Sequence, residues 1–176
     1  PAVTGQISVT KVWTSNIGPV SSPLYASVHG EQVAVASTQG QVALVTGASR
    51  GIGAAIARLF AQAGAKVIIA DIDAENGTRL AAELSGQFFH LDVSSEKDWD
   101  LLAAAHPVID IVVNNAGITG FEDSRGPHDP EHATLAEWHR VHAVNLNGTF
   151  LGCRYAIKAM RAKGSGSIIN MSSRSG

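Results

Sequence analysis

Three glycines follow a short apolar segment and precede a stretch with helical periodicity. Residues Val42–Thr46 carry no charge and have the length of a buried strand, and Gly47, Gly51 and Gly53 come next. Glycine permits a positive φ and a close approach to the backbone, and free N–H groups at a helix start attract anions. This order predicts a loop that binds nucleotide phosphates, the alternative being a loop that merely needs flexibility. The helix is expected to present an apolar face formed by Ile52, Ile56, Leu59 and Phe60.

Asp71 ends the next apolar run, about twenty residues after the glycine loop. A carboxylate at the end of this strand can accept hydrogen bonds from a ribose diol. It favours NAD over NADP, because a 2′-phosphate would meet a like charge. Arg50 in the loop is the opposing signal, since it could face that phosphate. The alternative is a surface acid that simply ends a strand.

From residue 41 onward, segments with strand and helix patterns alternate. Such alternation predicts right-handed βαβ units and a parallel sheet between layers of helices. The predicted fold class is α/β, with a doubly wound, Rossmann-type parallel sheet whose strand ends place polar residues along one edge. Expected strands are residues 42–46, 66–71, 87–92, 108–113 and 167–172, and expected helices include residues 75–84 and 134–163.

Five short motifs occur in order along residues 41–176. They are Thr46-Gly47-x-x-x-Gly51-x-Gly53, Asp92-Val93, Asn114-Asn115-Ala116-Gly117, Val144-Asn145-Leu146-Asn147-Gly148 and Asn170-Met171-Ser172-Ser173-Arg174-Ser175-Gly176. In this order they resemble the short-chain dehydrogenase/reductase family, and the resemblance covers the N-terminal half of that family's domain.

The resemblance implies an oxidoreductase that transfers hydride between NAD and a secondary alcohol or ketone. It implies that Asn145 positions a water relay and that Ser173 holds the reacting oxygen. Asp92 and Val93 would contact the adenine, and Asn115 with its neighbours would line the adenosine side of the groove. The predicted cofactor-binding residues are Gly47, Ser49, Arg50, Gly51, Ile52, Gly53, Asp71, Asp92, Val93, Asn115, Ala116 and Gly117.

In the family a Tyr-x-x-x-Lys pair follows the serine, and the 176 residues end before one occurs. We therefore expect a sheet truncated after its fifth strand and a chain that is nearly inactive alone, because a missing general acid costs about 10²- to 10⁴-fold in rate. Tyr155 and Lys158 precede the fifth strand at a different spacing and are expected to be packing and surface residues. The alternatives are a catalytically incomplete nucleotide-binding fragment or engineered chimera, and a Rossmann-like methyltransferase, which the asparagine and serine motifs disfavour.

Residues 1–40 are expected to form a β-rich extension or a partial propeller-like segment, separate from the NAD-binding domain at 41–176. Strand patterns occur at residues 6–13 and 32–37, with a hairpin connection at His29-Gly30-Glu31. Residues 13–44 weakly resemble one blade of a quinoprotein-type β-propeller, which suggests a fusion. The alternative is an N-terminal extension packed as an extra hairpin.

Composition limits the possible partners. A formal net charge of −2 and a pI near 6.4 give no reason to expect a nucleic acid or a membrane surface as partner. Cys153 is the only cysteine, and the histidine spacing matches no zinc motif, so we predict no metal. We expect a cytoplasmic protein that acts on a small-molecule alcohol or ketone, with a mobile loop near residues 121–130 over the substrate. A homo-oligomer, or pairing through the exposed fifth strand, is also expected.

Overall fold

The computed structural model describes residues 27–29, 32–34, 38–120, 122, 129 and 131–172. Here a hairpin pairs β1 (Ser27–His29) with β2 (Gln32–Ala34) in antiparallel fashion. Five further strands form a second sheet in which all neighbouring pairs are parallel. They are β3 (Val42–Thr46), β4 (Lys66–Asp71), β5 (Gln87–His90), β6 (Ile111–Asn114) and β7 (Ser167–Asn170), in the spatial order β5-β4-β3-β6-β7.

Helices cover both faces of the parallel sheet. Alternate side chains of β3 separate into two cores: Leu44 packs with the helices at residues 96–105 and 148–161, and Val45 packs with the helices at residues 51–62 and 74–83. The predicted doubly wound, Rossmann-type α/β fold is therefore confirmed. In the part of the chain that the structure describes, no helix is both long and apolar enough to span a bilayer. The helices are α1 (Gly51–Gln62), α2 (Ala74–Glu83), α3 (Glu96–Ala105), α4 (Leu135–His142) and α5 (Gly148–Arg161).

The buried face of α1 differs from the predicted one. Gly53, Ala54 and Ala57 are buried, whereas Ile52 and Leu59 are 66% and 50% exposed. The expectation that large apolar residues would form this face was wrong for Ile52 and Leu59. Small side chains allow the helix axis to lie close to the sheet and the glycine loop, and the large residues then point past the contact. The other two members of the predicted set, Ile56 and Phe60, are partly buried.

Asp110 joins the starts of β3 and β6. Its carboxylate, in a residue that is 8% exposed, accepts a hydrogen bond from the Val42 N–H at 2.8 Å and forms an ion pair with Lys163. Its own N–H donates to the Val42 carbonyl at 3.1 Å. The register pairs Ala43 with Ile111, and β3 begins at Val42, so residue 108 would lie beyond the start of β3; β6 begins at Ile111 and not at the predicted residue 108.

The predicted single helix over residues 134–163 is interrupted. A π-helical segment, Ala143–Asn147, separates α4 from α5, and α5 ends at Arg161. The start agrees with the sequence because Thr134 and Glu137 form a capping box, with the Glu137 N–H donating to the Thr134 hydroxyl at 3.2 Å. Single π turns inside helices are frequent at functional sites.

The turn before β3 already packs on the parallel-sheet unit. The Thr38 hydroxyl, in a residue that is 1% exposed, donates to the Ala63 carbonyl at 3.0 Å, and the Gly40 N–H donates to the Gly64 carbonyl at 3.0 Å. A domain boundary at residue 40 stays a prediction. The expected strand at residues 6–13 and most of the propeller-like motif lie outside the described residues.

Candidate functional site

The three glycines after β3 are required for three different reasons. Gly47 has φ +62°, and a Cβ there would lie 2.7 Å from the Ala116 Cα. A Cβ on Gly53 would lie 2.2 Å from the Gly47 carbonyl oxygen and 2.6 Å from the Asn115 Nδ2. Gly51 has φ +56°, yet apart from its sequence neighbours and the nearby backbone of α1, no atom of the described chain lies within 4 Å of the place where its Cβ would be. Gly47 and Gly53 therefore close the turn, and Gly51 faces open space.

Helix α1 begins at this open side without a protein cap. Arg50 has extended backbone angles and makes no side-chain cap, and the first turn contains no acidic residue. The Ala54 N–H donates to the Arg50 carbonyl at 3.2 Å, whereas the N–H groups of Gly51, Ile52 and Gly53 precede the helical repeat. Their partial positive charge next to open space suits an anion such as a diphosphate.

Asn115 and Thr46 fix the loop to the end of β6. The Thr46 hydroxyl accepts hydrogen bonds from the N–H groups of Asn115 and Ala116, at 3.0 Å each. The Asn115 side chain donates to the carbonyls of Thr46 at 2.9 Å and Gly47 at 3.2 Å. The amide nitrogen of Asn115, predicted to line a ligand groove, is thus used to brace the loop.

Asp71 lies between the glycine loop and the start of α2. One carboxylate oxygen accepts from the Ser49 N–H at 2.9 Å and the other from the Asp73 N–H at 3.1 Å. Each oxygen retains a lone pair for a further donor. Asp73 caps α2, and its pKa is lowered mainly by the hydrogen bond from the Asn76 side chain, with a smaller contribution from the charge of Arg50. The predicted ribose acceptor is therefore adjacent to the loop.

Asp92 and Val93 occupy the turn between β5 and α3. Asp92 Oδ1 accepts from the Ser94 N–H at 2.9 Å and from its hydroxyl at 2.7 Å. Val93 is only 7% exposed and belongs to the core, and its carbonyl accepts from the Trp99 indole at 2.9 Å. Because the Val93 side chain packs in the core, it is not available to an adenine ring, and a ligand can contact only the Val93 backbone.

Asn145 lies in the π-helical segment. Its Oδ1 accepts from the Ile118 N–H and its Nδ2 donates to the Ile118 carbonyl, both at 2.8 Å. Its own carbonyl accepts from the Thr149 hydroxyl at 2.8 Å. The side chain therefore fixes the segment that follows Gly117 and β6. The other predicted catalytic residue, Ser173, lies outside the described residues.

Sequence reasoning missed a link between the ends of β6 and β7. The Asn114 side chain, in a residue that is 5% exposed, donates to the Asn170 Oδ1 at 2.8 Å, and the Asn114 carbonyl accepts from the Met171 N–H at 2.9 Å. Cys153 Sγ also lies 3.5 Å from the Asn170 Oδ1. This link joins the glycine and asparagine loops to the strand that precedes Ser172. Asn114 and Asn170 each belong to a motif identified above, and this was the sequence signal from which the link could have been predicted.

Glu122, also missed, holds the loop after β6. Its carboxylate accepts from the N–H groups of Thr119 and Gly120, at 2.6 and 3.0 Å, and from the Thr119 hydroxyl at 2.8 Å. Partial burial raises the pKa of Glu122, but these hydrogen bonds together outweigh it and lower the pKa to about 2. Arg140 donates to the Gly120 carbonyl at 3.2 Å. The predicted mobile loop at 121–130 otherwise lies largely outside the described residues.

Tyr155 is a packing residue, as predicted. It is 5% exposed, its hydroxyl donates to the His106 carbonyl at 2.7 Å, and its ring packs on Trp99 with centroids 5.7 Å apart. Burial raises the pKa of Tyr155 to about 12. The Tyr155 hydroxyl therefore already has a hydrogen-bond acceptor, at the residue that follows α3.

Asp129, Glu131 and His132 bring possible metal-ligand atoms within 4.8 Å of one another. The His132 ring lies 2.7 Å from an Asp129 oxygen, and both side chains are about half exposed. This contact accounts for the proximity of His132 and Asp129, and Glu131 is the sequence neighbour of His132.

The carboxyl ends of the parallel strands thus gather the glycine loop, Asp71, the Asp92 turn, Asn115 and Asn145 along one edge of the sheet. In open α/β folds ligands bind at this edge, where the strand order reverses. Here the reversal lies between β3 and β6, directly below the glycine loop. The fold and the site together define a Rossmann-type α/β protein with a candidate ligand site at the carboxyl edge of its parallel sheet.

Comparison with known proteins narrows this class. The sequence profile of the family described as short chain dehydrogenase matches residues 41–176. Zerumbone synthase of Zingiber zerumbet is 42% identical over 143 residues, covering 77% of this chain and 52% of that protein. The 3-alpha-(or 20-beta)-hydroxysteroid dehydrogenase of Mycobacterium tuberculosis H37Rv is 42% identical over 143 residues, covering 78% of this chain and 53% of that protein.

The crystal structure of a protein described as a gluconate dehydrogenase of Agrobacterium tumefaciens gives a TM-score of 0.70 at 34% identity. The matched region covers 78% of this chain and 55% of the chain in that crystal structure. The chain belongs to the short-chain dehydrogenase family, and it spans about half the length of the curated relatives it matches.

Proposed function

We propose that this chain provides the cofactor half of an oxidoreductase that transfers hydride between NAD and a secondary alcohol or ketone. The observation that carries the proposal is the uncapped start of α1 beside open space at Gly51, with the Asp71 carboxylate next to the loop. A dinucleotide fits these features, because a diphosphate needs free N–H groups and a ribose diol needs an acceptor. When bound, the nicotinamide supplies or accepts the hydride.

The protein residues would hold the cofactor by its polar groups. The N–H groups of Gly51, Ile52 and Gly53 would donate to the diphosphate, and Asp71 would accept from the adenosine ribose. Ser49 and Arg50 would flank the same ribose, while Ala116 and Gly117 would line the groove beside Asn115. Ile52, 66% exposed at the start of α1, would give an apolar contact.

On the substrate side, Asn145 and Ser173 would have the roles implied by the family resemblance. Ser173 would donate a hydrogen bond to the reacting oxygen, and the backbone around Asn145 would hold a water relay. The hydrogen bonds of the Asn145 side chain to Ile118 support this role, because they fix the π-helical segment. The names of the relatives quoted above support an alcohol or ketone as the substrate class.

A homo-oligomer remains part of the proposal. Exposed apolar residues along α4, the π-helical segment and α5 support it, because such patches mark interaction sites. Among the described strands, β7 pairs with β6 only, so the outer edge of β7 offers a second surface. A cytoplasmic location stays a prediction. The exposed apolar residues are Leu135, Trp138, Leu146 and Phe150.

Replacing Asp71 tests the cofactor assignment. Asp71→Ala is expected to weaken NAD binding about tenfold or more and to narrow the preference for NAD over NADP, because a charged acceptor for the ribose is lost. Calorimetric titration of both dinucleotides measures the two effects. Glu75→Ala, which removes an equal charge from an exposed position in the first turn of α2, is the control. Unchanged NAD affinity in Asp71→Ala would contradict the assignment.

A further inference from the structure

Asp98 connects the start of α3 to the preceding loop. Its Oδ2 accepts a hydrogen bond from the Asp92 N–H at 3.0 Å, and its Oδ1 accepts one from the Ser95 hydroxyl at 3.0 Å. The Asp98 side chain is 22% exposed, and the His90 Nδ1 lies 4.0 Å from its Oδ2. Asp98, in the first turn of α3, thereby holds the backbone of the loop that follows β5.

The loop held in this way offers one acceptor and one donor side by side. Asp92 Oδ1 is used by Ser94, whereas Asp92 Oδ2 and the Val93 N–H have no hydrogen-bond partner within the described residues. The Watson–Crick edge of adenine carries the N6 amino donor next to the N1 acceptor. The free carboxylate oxygen and the free N–H complement these two groups.

We propose that Asp98 is a positioning residue for adenine recognition, which holds the Asp92 N–H and so fixes the direction of the Asp92 carboxylate and the Val93 N–H. This role rests on the proposed function, since it requires that the groove binds an adenine dinucleotide. Asp98 itself contacts no ligand and acts through the Asp92 turn.

Capping of α3 accounts for only one of the two contacts of the Asp98 carboxylate. The helix is capped by Ser95, whose hydroxyl accepts from the Asp98 N–H at 3.2 Å and lies 3.0 Å from Asp98 Oδ1. The other oxygen, Oδ2, reaches outside the helix to the Asp92 N–H, which the cap does not require. The pKa of Asp98 is lowered chiefly by the hydrogen bond from the Asp92 N–H, so the carboxylate stays charged near neutral pH and holds that N–H strongly.

The test compares NAD with nicotinamide hypoxanthine dinucleotide. This analogue replaces the amino donor by a carbonyl oxygen and the N1 acceptor by N–H, and leaves the diphosphate, both riboses and the nicotinamide unchanged. The wild-type chain is expected to bind NAD about tenfold more tightly than the analogue, since two hydrogen bonds are lost or opposed. Asp98→Ala and Asp98→Ser are expected to reduce this ratio towards one.

Two variants serve as controls. Asp98→Asn should keep most of the preference for NAD, because its amide oxygen can still accept from the Asp92 N–H. Asp100→Ala removes a charge from the exposed side of the same helix and should leave the ratio unchanged. Thermal unfolding of each variant identifies those that fold, and Asp98→Ser provides the comparison should Asp98→Ala unfold.

The outcomes separate the two proposals. Folded Asp98→Ala or Asp98→Ser with the wild-type ratio would overturn the role of Asp98 and leave NAD binding intact. A wild-type chain that binds both dinucleotides equally would overturn the adenine readout and the role of Asp98 with it, and would leave NAD binding intact. A wild-type chain that binds neither would overturn the proposed function, and the role of Asp98 with it.

Discussion

Gly53→Ala is expected to abolish measurable NAD binding and to lower the free energy of unfolding by about 2 to 4 kcal/mol. The added Cβ would lie 2.2 Å from the Gly47 carbonyl oxygen and 2.9 Å from the Ala48 Cα, which are backbone atoms that cannot rotate away. It would also lie 2.6 Å from the Asn115 Nδ2, whose hydrogen bonds brace the loop. The loop must therefore move, and the N–H groups at the start of α1 move with it.

Gly51→Ala tests the effect of a positive φ separately from the steric clash that Gly53→Ala introduces. Apart from its sequence neighbours and the nearby backbone of α1, no atom of the described chain lies within 4 Å of its Cβ position, so the expected cost of this variant is that of φ +56°, about 1 to 2 kcal/mol. Its NAD affinity should still fall, because the added methyl group stands where the diphosphate approaches. Denaturant unfolding and calorimetric titration measure both quantities. Ala55→Ser, at an exposed position of α1, controls for helix propensity. Wild-type NAD affinity in Gly53→Ala would contradict the proposed loop geometry.

Asp110→Ala is expected to lower the free energy of unfolding by about 2 kcal/mol, through the loss of a hydrogen bond to a charged group, without a direct effect on the proposed nucleotide groove. The Val42 N–H would lose its side-chain acceptor, and Lys163 would lose its ion pair. Asp110 lies at the start of β6, whereas the glycine loop follows the carboxyl end of β3. NAD affinity measured well below the melting temperature should therefore stay near that of the wild-type chain.

The exposed ion pair between Arg58 and Glu83 provides the matched comparison. Both side chains are about half exposed, and solvent screening leaves an exposed ion pair with little effect on stability. Glu83→Ala should therefore destabilise the chain much less than Asp110→Ala does. Equal unfolding free energies for the two variants would contradict the bridging role of Asp110.

The sheet and its functional edge could be predicted because local signals determine them. Apolar runs bounded by glycine or acidic residues identified β3 and β4, and the glycine spacing located the start of α1. Asp71 was placed correctly for the same reason, since it directly follows an apolar run. The family motifs then supplied the order of the remaining polar residues.

Other features depend on contacts between distant segments and left no local signal. The small buried face of α1 follows from the close approach of its axis to the sheet, which requires Gly53, Ala54 and Ala57. The late start of β6 follows from its register against β3, which begins only at Val42. The π-helical segment contains Asn145, whose side chain makes two hydrogen bonds to Ile118 in the loop after β6.

Titration of the isotope-labelled chain with NAD, followed by amide resonances, tests the central claim most directly. The account predicts that the N–H resonances of Gly51, Ile52 and Gly53 shift most, because the diphosphate binds at the start of α1, and that Gly53→Ala removes these shifts. Saturable binding whose largest shifts lie away from the carboxyl edge of the sheet, or no shift at all at the glycine loop, would contradict it.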